Sequence, residues 1–293
     1  MNAPPREDEL LVVVGPTASG KSAFAVSLAE RLSGEVVSVD SVQVYRRFDI
    51  GSGKATPEEQ RGIRHHLLDV ADAKDPLDAA RFVALADETL RDIRSRQKTP
   101  IVCGGTFLWV KALVFGLAEG APRSEALRAR HREEARSSGR AALHARLAAI
   151  DPVTAARLSP NDLVRVSRAL EVFELTGERL SLVQARHGFR EARHRARLVG
   201  VRRDVGELRA RIHARIEAFF ERGLLDEVRA LLGDGYGETR AMRSVGYREA
   251  RDVVEGRMAV EEAKGAIDRA TRVLARRQST WLRDEPVEWH DDG

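Results

Sequence analysis

The chain has 293 residues, 43% hydrophobic and 32% charged, with a formal net charge of +4. This composition fits a soluble globular protein of two domains, or one domain with a large insertion. The single cysteine, Cys103, excludes an internal disulfide. Met1–Glu9 is polar, Leu10–Val14 is too short for a secretory leader, and no run approaches membrane-spanning length. A cytoplasmic protein with no membrane partner is expected.

Leu10–Val14 reads as a buried strand and Ala23–Leu32 as a helix with apolar spacing. Between them, Gly15-Pro16-Thr17-Ala18-Ser19-Gly20-Lys21-Ser22 fits the phosphate-loop pattern G-x-x-x-x-G-K-[ST] at every fixed position. Such a loop turns backbone N–H groups toward phosphate oxygens, and the following helix adds the positive end of its dipole. Lys21 is placed to reach the terminal phosphate and the Ser22 hydroxyl to hold Mg²⁺. The pattern admits ATP or a diphosphate.

Glu35–Val39 and Pro100–Cys103 read as further strands, with an amphipathic helix over Leu77–Arg96 between them. The alternation predicts an α/β fold, a phosphate-loop NTPase-like parallel sheet with helices on both faces. Ligands in such folds sit at the carboxyl ends of strands, which puts the loop, Asp40-Ser41 and Gly104-Gly105-Thr106 on one rim. Asp40 could ligate Mg²⁺, act as a general base, or cap the next turn. The third strand ends without a carboxylate, which weighs against a kinase or ATPase.

Residues 123–187 carry no strand signal and read as short helices, with starts at Asp151-Pro152 and Ser159-Pro160-Asn161-Asp162. Leu198–Val201 returns as a strand, followed by helices near Gly206–Arg222 and Ala259–Leu282. An all-helical insertion over 120–195, between core segments 1–119 and 196–293, accounts for this. The first 122 residues carry 15 basic and 17 acidic side chains and the remainder 34 and 28, with seven arginines and one glutamate from Arg186 to Arg203. This excess suits either a solvated helical surface or an RNA-binding face.

Seven further blocks join the phosphate loop: Val39–Tyr45 (V-D-S-x-Q-V-Y), Asp49–Lys54 (D-I-G-S-G-K), His65–Asp69 (H-H-L-L-D), Gly104–Leu113, Asn161–Glu171, Val245–Glu249 and Ala275–Arg283. In this order, from Gly15 to Arg283, the set resembles the bacterial tRNA dimethylallyltransferases. The resemblance implies transfer of a dimethylallyl group from its diphosphate to N6 of adenosine-37, beside the anticodon of tRNAs reading U-initial codons. Diphosphate is then the leaving group. Gly15 to Ser22 would hold it with Mg²⁺ on Ser22, Lys21 would neutralise its charge, and Arg215 would bind it with Arg211 one turn earlier. Asp40 would be the general base, with Ser41 and Gln43 holding the extruded adenine. Thr106 would touch tRNA or the flipped base, or cap the helix from Phe107.

For the tRNA anticodon stem-loop, the resemblance points to Asp40-Ser41-Val42-Gln43, Val164-Arg165-Val166-Ser167-Arg168, Arg243-Ser244-Val245-Gly246-Tyr247-Arg248 and Arg276-Arg277-Gln278-Ser279-Thr280-Trp281-Leu282-Arg283. Arg165 and Arg168 share a helix face, Tyr247 and Arg248 are expected exposed, and Trp281 is expected to anchor its helix in the core. Arg128 follows the divergent Glu119–Glu125 segment, so its tRNA contact stays open. The eight histidines show no metal-ligand spacing. A monomer is expected. Two other activities stay open: prenyl transfer to free AMP, and a phosphate-loop small-molecule kinase.

Overall fold

The computed structural model describes Arg6, residues 9–118 and residues 123–291. Glu119-Gly120-Ala121-Pro122 of the divergent segment lies outside the described residues. Strand β1 (Glu9–Val14) is fully buried from Leu10 to Val14, as a central strand covered on both faces must be. The phosphate loop leads into α1 (Lys21–Leu32), then β2 (Gly34–Val39). Next come α2 (Pro57–Gln60), with a Thr56/Glu59 capping box, and β3 (His65–His66). Helix α3 (Ala79–Ser95) starts later than the apolar pattern suggests, because the Asp78 side chain accepts the Arg81 N–H and fixes the cap. Strand β4 (Thr99–Gly104) and α4 (Phe107–Phe115) follow.

Five helices come next: α5 (Glu125–Ser137), α6 (Arg140–Ile150), α7 (Pro152–Arg157), α8 (Leu163–Thr176) and α9 (Leu180–His187). Asp151 caps α7 with Pro152 in the first turn, and Asp162 caps α8, at the two starts legible in the sequence. The chain returns through β5 (Arg195–Arg202), α10 (Val205–Glu221), α11 (Leu224–Gly233), α12 (Tyr247–Val254), α13 (Val260–Leu282) and β6 (Val287–Asp291). The six strands form one parallel sheet in the order β3-β2-β4-β1-β5-β6. The edge strands β3 and β6 are additions to the expected set: the first is two residues long, and both lack an extended apolar run.

The chain divides into two compact units, Met1–Val114 with Arg193–Gly293, and Phe115–Ala192. The first holds the sheet. Within it, the N–H groups of Arg193 and His194 both donate to the Val114 carbonyl, at 2.7 and 3.2 Å, so its two chain segments meet there. The division falls a few residues before the expected limits of 120 and 195. The second unit has its own core around Leu143, Leu147, Val166 and Leu170. Its fully buried Glu171 carboxylate accepts from Ser124 N, the Arg128 fork and Arg168. Burial alone would raise its pKa; the hydrogen bonds, Arg128 first, win and hold it at about 2.

Candidate active site

The carboxyl ends of β1, β2 and β4 open onto a cavity of about 510 Å³. Thr17, Lys21 and Ser22 of the phosphate loop line one side, and Asp40, Ser41 and Thr106 the rim beside it. The loop is a tight backbone nest. Ser19 N donates to Pro16 O at 3.2 Å, and Ala18 adopts φ +64°, a left-handed value uncommon for a residue with a Cβ. The Lys21 ammonium folds back to Pro16 O at 3.3 Å.

Asp40 does two things at once. Its Oδ1 accepts from Val42 N at 2.8 Å and Gln43 N at 3.2 Å, fixing the turn after β2. Oδ2 has no hydrogen-bond partner among the described residues. The Thr106 hydroxyl accepts from Ser41 N at 3.1 Å, so it ties the end of β4 to that turn, while its carbonyl starts α4. Gln43 lines the cavity with its amide engaged at both ends. Its Nε2 donates to Ser52 O and Gly53 O, both at 3.2 Å, and its Oε1 accepts from Ser38 Oγ at 3.2 Å.

These bonds anchor the 49–54 loop against Arg215 of α10. The Arg215 guanidinium reaches Ser52 O at 3.4 Å and lies 5.0 Å over the Phe219 ring. Gly53 sits at φ +64°, which glycine adopts freely, and leaves room for the guanidinium: a Cβ would fall 1.8 Å from Arg215 Nη2 and displace it. Glu227 of α11 holds the same loop from behind, accepting from Asp49 N, Ile50 N, Gly51 N and the Tyr247 hydroxyl. No local pattern marks Glu227, because its backbone partner Ile50 N lies 177 residues away in the chain.

Burial pushes the pKa of Lys21 below its ordinary value, and the positive charge of Arg215 adds to this. Arg215 is likewise lowered by burial, partly offset by Asp40. Two desolvated cations facing one cavity favour an anion between them. Cys103 also lines the cavity, but burial raises its thiol to about 11, so it stays protonated and serves as no nucleophile. Anion binding favours the charged Lys21. Its affinity should therefore be greatest with Lys21 protonated and fall as pH rises through the Lys21 pKa, which lies below 10.5. Calorimetric titration of diphosphate from pH 7 to pH 10 checks this, with the always-charged Lys21→Arg variant reporting the ligand's own titration, so that the fall due to Lys21 is the difference between the two.

The remaining wall is apolar: Ile212, Ile216 and Phe219 of α10 face Ile267 and Leu274 of α13. Sequence reading missed it, although Ile212 and Ile216 stand four apart on either side of Arg215. Arg243, Ser244, Val245 and Gly246 close the cavity. Tyr247 corrects an expectation: it is wholly buried, edge-on to Phe48, with its hydroxyl on Glu227. Arg248 is exposed and pairs with buried Glu249.

On α13, Arg276, Arg277, Ser279 and Thr280 are exposed and Leu282 is buried, and Arg283, just past its end, is exposed. Trp281 is also corrected. It is 48% exposed, stacked on Phe107 at 6.4 Å with Lys111 over its face. In the second unit, Val164 and Arg165 are exposed, whereas Val166 and Ser167 are buried. Arg165 pairs with Asp162 at 3.2 Å, and Arg168 and Arg128 turn inward to Glu171. Arg165 and Arg168 therefore do not present equal cations. Among the described residues no group of three or more His, Cys, Asp or Glu could hold a metal.

A family model described as IPP transferase matches residues 43–285. The chain belongs to this family. A tRNA dimethylallyltransferase of Sorangium cellulosum is 60% identical over 97% of this chain and 91% of its own. Another from Anaeromyxobacter sp. is 50% identical over 96% and 94%. The full-length tRNA isopentenylpyrophosphate transferase of Bacillus halodurans has a similar structure, with TM-score 0.71 and 37% identity over 97% of this IPP transferase and 90% of that chain. A eukaryotic dimethylallyltransferase acting on tRNA gives TM-score 0.79 at 25% identity, over 97% and 74%. No described helix of this family member is long and apolar enough to cross a membrane.

Proposed function

We propose that this enzyme transfers a dimethylallyl group from dimethylallyl diphosphate to N6 of adenosine-37 in tRNAs reading U-initial codons, releasing diphosphate. The observation that carries the reading is the Asp40 carboxylate on the rim of a cavity that holds Lys21, Arg215 and the phosphate loop at one end and an apolar wall at another. The loop amides, Lys21 and Arg215 bind the diphosphate and stabilise the charge that grows as the C–O bond breaks. Ile212, Ile216 and Phe219 receive the five-carbon chain. Asp40 Oδ2 accepts a proton from the exocyclic amine as nitrogen bonds to carbon. Atoms balance: N–H and C–O bonds break, an N–C bond forms, and diphosphate leaves.

The donor set suits Mg²⁺ arriving with the substrate. Ser22 Oγ is a hard oxygen donor on the cavity, and the diphosphate supplies more. When bound there, Mg²⁺ supplies charge neutralisation for the leaving group. A cytoplasmic monomer is the working assembly. The second unit and the exposed arginines Arg165, Arg243, Arg248, Arg276, Arg277 and Arg283 are assigned to the tRNA anticodon stem-loop, supported by their exposure.

Incubation with labelled dimethylallyl diphosphate and tRNA, AMP or no acceptor tests the reading. Label should enter tRNA alone, with no ATP hydrolysis. Transfer to AMP in preference to tRNA, or ATP turnover coupled to product, overturns it.

A further inference from the structure

Three side chains grip the phosphate loop, Gln278 from the cavity lining and Arg203 and Arg211 from outside it. Arg211 Nε, on α10, donates to Ala18 O at 2.8 Å, and Arg203 Nε, just past β5, donates to Ser19 O at 3.2 Å. Gln278, on α13, uses both halves of its amide. Its Oε1 accepts from Thr17 N at 2.8 Å, and its Nε2 donates to Gly105 O at 3.0 Å. Gly105 allows that approach, since a Cβ there would lie 2.4 Å from Nε2.

A nest that receives an anion needs its carbonyls turned outward, so that neighbouring N–H groups converge inward. Ala18 holds a left-handed backbone that alanine does not favour by itself. A cationic donor on its carbonyl, and another on the next carbonyl, oppose the peptide flips that would let the loop relax. We infer that Gln278, Arg203 and Arg211 are positioning residues of the diphosphate site, holding the phosphate loop in its anion-receiving shape, an inference that rests on the loop's diphosphate role proposed above. It reassigns two residues. Gln278 stands in the segment matched to tRNA contact, yet both ends of its amide are engaged within the donor site. Arg211 stands one turn from Arg215, yet its Nε addresses the loop's backbone.

The test compares the full-length protein with Q278A, Q278E and R211A by calorimetric titration with inorganic diphosphate and Mg²⁺, and separately with tRNA. Loss of two neutral hydrogen bonds in Q278A should weaken diphosphate by about tenfold. Q278E keeps the acceptor for Thr17 N but faces the Gly105 carbonyl with a carboxylate, so it should bind diphosphate more weakly than Q278A. R211A should weaken diphosphate by about tenfold through the lost charged hydrogen bond. In steady-state assays the donor KM should rise by the same factor, while tRNA Kd and tRNA KM stay within about twofold of the parent. Parental diphosphate affinity in folded Q278A and R211A, or tRNA affinity lost in its place, overturns the inference. Absence of diphosphate binding in the parent protein would instead overturn the loop's assigned role, and the inference with it.

Discussion

Asp40→Asn is expected to lower the single-turnover rate of prenyl transfer by roughly 10²–10⁴, the usual cost of losing a general base. Asparagine is the informative replacement. Asp40 Oδ1 already accepts from Val42 N and Gln43 N, so an alanine would loosen the turn after β2 and disturb Ser41. The asparagine oxygen can keep both bonds while its NH₂ group, in place of Oδ2, accepts no proton. Affinity for tRNA and for diphosphate should stay within a few-fold of the parent, because neither depends on Oδ2. Quenched-flow measurement with saturating tRNA and donor reads the effect. A near-parental single-turnover rate in Asp40→Asn would remove Asp40 from the chemistry.

The strands that build the site were legible because each is a short apolar run ending in a recognisable turn. Leu10–Val14 leads into the glycine-rich loop, and the residues after Val39 and Cys103 carry Asp40 and Thr106 to the same rim. Parallel topology then joined positions far apart in the chain. Contacts made through backbone atoms were not legible. Glu227 organises Asp49–Gly51 by accepting three amides, a role that any loop sequence could share. Gln278 was grouped with its exposed helix neighbours, yet it is the residue of that stretch turned toward Thr17 and Gly105. Trp281 and Tyr247 exchanged their expected environments for a related reason. Residue type alone did not say that Glu227 would bury the phenol, or that Phe107 would receive the indole at the surface.

Removing residues 115–192 and joining Val114 to Arg193 by a short glycine linker should abolish tRNA modification and preserve diphosphate binding. The junction is favourable, because Arg193 N already donates to Val114 O at 2.7 Å and the linker need span only a tight turn. The phosphate loop, Asp40, Arg215 and the apolar wall all lie in the remaining segments, as do Gln278 and Glu227. The removed unit closes its own core around Leu143 and Leu170 and satisfies its buried Glu171 internally, so its loss uncovers no partner for those groups. Function is the part expected to fail. Reaching N6 of a stacked adenine costs a few kcal/mol of unstacking, and contacts elsewhere on the tRNA must offset it. Exposed Val164 and Arg165 belong to the removed unit. Calorimetry with diphosphate and Mg²⁺, circular dichroism for fold, and a transfer assay with labelled donor together decide the outcome. A folded truncated protein that modified tRNA at the parental rate would take the helical unit out of substrate recognition and leave the arginines of the sheet-bearing unit as the whole tRNA surface.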